Sequence, residues 1–235
     1  MRYAARMTGD TNAAAGSVGL RQLKKQRTYE AISDAAIALF LERGFDKVSV
    51  AEVAAAAEIS KPTLFRYFPA KEDLVLHRFA DHEDEAARVV ADRPADRSPL
   101  AALRAHFLAG LTRHDPVTGL NDAREVLAFH QLLYGTPSLV ARLYAYQERS
   151  ERALADALAG GSPDAHPAAP LDTRPVAPLD ARLAAAQILA VQRVLALENW
   201  RRMDAGERAE AVRPDAARAA NRAFDQLGSG LPAYA

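Results

Sequence analysis

Ser49–Lys71, SVAEVAAAAEISKPTLFRYFPAK, reads as two short helices joined by a tight turn. Ser49 followed by Glu52 makes a capping box, in which hydroxyl and carboxylate satisfy two N–H groups left open at a helix start. A helix therefore begins at Val50, and Val50, Val53, Ala54 and Ala57 recur along it at helical spacing. Their small side chains let a second helix cross closely. Ile59 anchors the turn, and Ser60 caps a second helix whose Pro62 falls in the first turn, where its missing N–H costs nothing. The spacing is that of a helix-turn-helix. In that motif the start of the second helix meets the major groove of DNA, which places Lys61, Thr63 and Arg66 toward it.

The flanking sequence supports the same module. Tyr29, Ile32, Ala36, Leu39 and Phe40 form an apolar stripe, Gly44 ends that helix, and Val48 continues the core. Three helices from about Gln26 to Phe68 make a small domain, assigned to residues 24–72, with too little core to be very stable alone. Leu64, Phe65 and Phe68 are expected in the core or at its edge.

The run from about Thr28 to Leu76, including AISDAAIALFLERGFDKVSVAEVAAAAEISKPTLFRYFPAKEDL, resembles the DNA-binding domain of the tetracycline-repressor (TetR) family of bacterial regulators. It covers about a fifth of the chain. The resemblance implies an all-α homodimer with a three-helix DNA-binding domain, a larger C-terminal domain, and a small ligand whose binding releases the operator. It makes Ser60 to Phe68 the recognition element, puts the capping hydroxyl on Ser49, sets Tyr67 at the aromatic position that touches the DNA backbone, and gives Lys71 a phosphate. Arg66 is then a candidate for a bidentate contact with guanine, while Lys61 and Lys71 suit phosphates. Two positions depart from the family pattern. Phe65 stands where tyrosine is common, removing one hydroxyl. Glu58 stands where glycine is common and is strained if the turn requires positive φ; its carboxylate is expected to face solvent.

Thirty basic and thirty acidic residues cancel over the chain. Yet Arg2, Arg6, Arg21, Lys24, Lys25 and Arg27 precede the first helix against the single acid Asp10. Residues 1–23 read as a flexible basic arm, either tracking phosphates or serving as a solubilising N-terminus. With no cysteine, disulfides, thiolate metal sites and thiol sensing are excluded. No apolar run is long enough to cross a bilayer and no secretory core opens the sequence, so a cytoplasmic protein without membrane partners is expected. No nucleophile elbow, phosphate-cradling glycine loop or HExxH helix appears, and His106 and His114 lack a predictable third ligand. Neither an enzyme nor a cofactor or metal is expected.

Residues 73–235 are helical in character and are assigned to effector binding and dimerisation. Helices are predicted over Leu74–Val90, Ser98–Thr112, Leu120–Leu133, Ser138–Leu158, Leu179–Met203 and Pro214–Leu227. The charged Asp81–Glu85 run, DHEDE, reads as a solvent-facing turn of helix rather than a metal site. Between them, residues 160–178 carry five prolines and read as a surface loop in which His166 has no companion ligands. Apolar residues on more than one side of the last two helices suggest a partner helix pair; Leu183, Val194, Ala216, Ala220 and Phe224 are the candidate dimer contacts. Twofold symmetry would match a palindromic double-stranded operator. Phe107, His130, Tyr134, Tyr144 and Gln147 supply the mix of apolar wall and orienting polar groups that a small-molecule effector pocket uses. The alternative is a ligand-independent architectural or partner-binding DNA-binding protein, told apart by the absence of a cavity in the second domain.

Overall fold

A computed structural model describes residues 10–160 and 177–235. Among them it is all-α, with ten α-helices and no strand. The chain divides into two compact units, one ending at Arg78 and the other Phe79–Ala235.

In the first unit α1 (Asp10–Arg43), α2 (Val50–Ala56), α3 (Lys61–Tyr67) and the single turn α4 (Asp73–Leu76) surround one core. Ile32, Ala36, Ile37 and Phe40 of α1 meet Phe45, Val48, Val53, Leu64, Phe68 and Leu74–Leu76, all buried. Ser33, inside this core, donates its hydroxyl to the Leu74 carbonyl at 2.7 Å, which fixes α4 to α1. That bond and the three buried apolar side chains carry the unit past residue 72, where the sequence reading ended it. The helix also starts earlier than about Gln26. Residues 10–23, read as part of a flexible arm, are helical, in keeping with Ala13–Ala15 and the absence of proline. Residues 1–9, with Arg2 and Arg6 of that arm, lie outside the described residues.

The predicted helix over Leu74–Val90 is not continuous. After α4 the chain runs as a 3-10 stretch, His77–His82, and α5 (Glu85–Ala91) begins anew. Asp84 and Glu85 stand at the start of α5, where acids suit the open N–H groups of a new helix.

The second unit is built from α5, α6 (Pro99–Arg113), α7 (Arg124–Gly135), α8 (Pro137–Leu158), α9 (Leu179–Asp204) and α10 (Ala209–Gly230). Its α8 packs on α5 and α9, and α10 packs on α6 and α9. Leu100, Leu103, Phe107 and Leu111 of α6, Leu154 of α8, Ile188 of α9 and Val212, Ala216, Ala220 and Phe224 of α10 form the shared core. Pro214 does not open the last helix as predicted but lies inside it. Asp122 accepts the Ala209 N–H at 3.1 Å, and Ala209 and Val212 are buried, so the first turn forms ahead of the proline. Gly119, at φ 71°, lets the loop after α6 touch α9, because a Cβ there would lie 1.9 Å from the Ala196 carbonyl. Asn199 of α9 closes the same junction, donating to the Thr118 carbonyl at 2.9 Å. Of the predicted proline-rich loop, residues 161–176, with His166, lie outside the described residues. No helix among the described residues is long and apolar enough to cross a membrane.

Candidate functional site

The helix-turn-helix is assembled by local hydrogen bonds. Ser49 accepts the Glu52 N–H at 3.2 Å and Glu52 returns a bond to the Ser49 N–H at 2.8 Å. Those bonds to Ser49, with the Arg43 guanidinium beside it, hold the Glu52 carboxyl down to about 2. Between the helices, Ile59 N–H reaches the Ala54 carbonyl at 2.9 Å and Glu58 N–H reaches that of Ala55 at 3.1 Å. This is the helix-ending motif whose left-handed position favours glycine. Glu58 occupies it at φ 54°, with its side chain exposed. Ser60 then caps α3, accepting the Thr63 N–H at 3.2 Å, and its hydroxyl lies 2.8 Å from that of Thr63.

Leu64 and Phe68 anchor α3 in the core, leaving Lys61, Phe65 and Arg66 exposed on its outer side. Phe65, expected in the core or at its edge, is 42% exposed, because Leu64 and the C-cap Phe68 are the side chains that α3 turns into the core. Lys61 and Arg66 flank it, lying over the Phe65 and Tyr67 rings at 5.9 and 5.8 Å. Tyr67 is edge-on to Tyr29 at 4.8 Å, which orients its ring from α1. Lys71 lies where the chain enters α4. Its ammonium donates to the Phe45 carbonyl and sits 4.2 Å from the Phe45 ring.

The second unit contains a cavity of about 460 Å³ between α5, α6, α7, α8 and α9. Phe107, Tyr134, Tyr144 and Gln147 all line it. His130 does not: it is buried one turn behind Tyr134 on α7, with ring centroids 5.9 Å apart, and burial holds its imidazole down to about 4. Burial likewise pushes the Tyr134 phenol up.

The acidic Asp81–Glu85 run, expected to face solvent, supplies Glu83 and Glu85 to the cavity wall instead. Arg149 of α8 donates to Glu83 at 2.7 Å. Glu85 lies 3.0 Å from His106 Nε2 and 2.8 Å from His82 Nδ1, bonds that hold its carboxyl below the usual carboxylate range. Phe79, His82, His106 and Arg193 also line the cavity and were not singled out as ligand contacts. The signal for Glu83 and Glu85 was present as acids two apart, which a 3-10 turn followed by a new helix can both turn inward. Among the described residues no group of His, Asp or Glu side chains is arranged to hold a metal ion.

The candidate dimer residues separate into two sets. Leu183 and Val194 are 51% and 57% exposed on α9. Ala216, Ala220 and Phe224 are buried within the protomer, with the Phe224 ring 6.4 Å from that of Phe107. The alanine-rich face of α10 is taken by α6, so those three residues are core positions and not interface.

Three comparisons bear on this arrangement. Residues 32–77 match the model of the "Bacterial regulatory proteins, tetR family". The HTH-type transcriptional regulator TcmR of Streptomyces glaucescens is 31% identical over 154 residues, covering 65% of this chain and 68% of TcmR. The fold is similar to that of NalD, described as the secondary repressor of the MexAB-OprM multidrug efflux pump in Pseudomonas aeruginosa; the TM-score is 0.52 at 18% identity, over 85% of this chain and 97% of NalD. With its helix-turn-helix and helical second unit, the chain belongs to the TetR family of DNA-binding bacterial transcriptional regulators.

Proposed function

We propose that the protein is a repressor that binds a palindromic operator as a homodimer and is released from it by a small, largely apolar ligand. The observation that carries this reading is the aromatic-lined cavity of about 460 Å³ in the unit that follows the helix-turn-helix. A ligand-independent architectural protein has no use for such a space.

In this reading the first unit, through Arg78, is the DNA-binding domain and Phe79–Ala235 the effector and dimer domain. Arg66 reads a base edge, Lys61 and Thr63 meet phosphate or base, Ser60 and Ser49 fix the helices, and Tyr67 touches the DNA backbone. Phe107, Tyr134, Tyr144 and Gln147 hold the ligand. Leu179, Leu183 and Val194 supply the dimer contact, since they lie within about 60° of one another on α9 and are the large apolar side chains that helix exposes. The cavity lining begins at Phe79, three residues after α4 ends at Leu76, so a ligand acts close in sequence to the first unit.

The test is transcription in vitro from genomic fragments retained by the purified protein. Repression predicts less transcript with protein present, restored by a compound that binds the cavity. Increased transcript would make it an activator, and an occupied cavity with unchanged DNA affinity would favour the architectural reading.

A further inference from the structure

Tyr134 lines the cavity, and the two rings beside it, which do not line it, carry buried nitrogens with no hydrogen-bond partner, His130 Nδ1 and Trp200 Nε1. Both rings neighbour Tyr134, whose ring centroid is 5.9 Å from that of His130 and 4.6 Å from that of Trp200. His130 is one helical turn from the lining residue Tyr134 on α7, and Trp200 is one turn from the lining residue Ala196 on α9. Residues four apart share a helix face. His130 and Trp200 thus lie on the helix faces that line the cavity, one turn along from Tyr134 and Ala196, where α7 packs on α9.

An indole N–H is a donor only, so what completes Trp200 is an acceptor. A buried donor left unmade carries its full desolvation cost, which a suitable partner relieves. Both nitrogens belong to uncharged rings. That setting suits a neutral oxygen better than a carboxylate. The rings of Phe79, Phe107, Tyr134 and Tyr144 offer flat apolar surface to the rest of the molecule.

We propose that the cavity takes a flat, uncharged, mostly apolar ligand whose neutral oxygen displaces the Tyr134 ring, enters the α7–α9 cleft and accepts the Trp200 Nε1–H, with His130 as its second partner. This rests on reading the cavity as the effector site and adds the chemistry of what fills it.

The isosteric pair fluorenone and fluorene, which differ by a carbonyl oxygen, tests the proposal by calorimetry on the full chain. Trp200 is the sole tryptophan, so its single indole N–H proton resonance reports the bond directly. Fluorenone should bind at least about tenfold more tightly than fluorene and move the indole resonance downfield. Trp200→Phe should abolish the preference for fluorenone; if that variant does not fold, the wild-type resonance and affinity ratio still decide. Equal binding of both compounds with an unmoved indole resonance would overturn the oxygen site and leave the cavity's ligand role standing. Binding of neither would overturn both.

Discussion

Glu58 holds the turn between α2 and α3 at φ 54°, in the left-handed region at the end of α2. A side chain there costs ~1–2 kcal/mol relative to glycine. Glycine's greater freedom in the unfolded chain returns ~0.5–1 kcal/mol of that difference. Glu58→Gly should therefore stabilise the protein by ~0.5–1 kcal/mol, which for a chain of this size raises Tm by roughly 1–4 °C. Two companion variants separate backbone from charge. Glu58→Asn, a residue that tolerates the left-handed region, should recover part of the gain. Glu58→Gln keeps the strain and loses only an exposed carboxylate, so its Tm should stay within about 1 °C of the parent. Scanning calorimetry at a fixed scan rate and ionic strength makes the comparison. A lower Tm for Glu58→Gly, or a gain in Glu58→Gln equal to that of glycine, would refute the reasoning.

Acidification should act through His130. Its folded value is lowered from 6.5 to about 4, so between these values the unfolded chain takes up a proton that the folded one does not, and stability falls as pH falls. The loss near pH 5 is about 2 kcal/mol, and urea unfolding at neutral and mildly acid pH should show His130→Phe losing correspondingly less than the parent. Gly119→Ala drives a Cβ to 1.9 Å from the Ala196 carbonyl and forbids an easy φ of 71°, so thermal unfolding by circular dichroism should show a loss of about 3 kcal/mol or no folded protein. Ala220→Asp, at a position with 0% exposure, should unfold the second unit, whereas Leu183→Glu at 51% exposure should leave helicity intact and shift sedimentation from dimer toward monomer. Loss of the dimer without loss of folding in Ala220→Asp would contradict the core assignment.

The helix-turn-helix was legible because its determinants are local. The Ser49–Glu52 box, the Ser60 cap and Pro62 each act within a few residues. The exposure of Phe65 was not, since it depends on how Leu64 and Phe68 seat α3 in the core. In the second unit the periodicity gave helices but not their neighbours. A small-residue face such as Ala216–Ala220 fits a partner subunit or α6 equally well in sequence, and only packing shows that α6 takes it. Phe107, Tyr134, Tyr144 and Gln147 were found as aromatic and polar groups on apolar helices. Glu85 was read as solvated because its partners His82 and His106 converge on it only after α5 and α6 pack.

The central claim is that α3 reads DNA sequence through its exposed side chains, Arg66 above all. The most direct measurement is a salt-controlled titration of a genomic fragment selected by the protein and of its scrambled counterpart, with wild type, Arg66→Ala and Lys61→Ala. The account predicts that Arg66→Ala loses ~1–3 kcal/mol of discrimination between the two fragments. Lys61→Ala should weaken both fragments alike and flatten the salt dependence. Discrimination undiminished in Arg66→Ala, or none in the wild type, would contradict it.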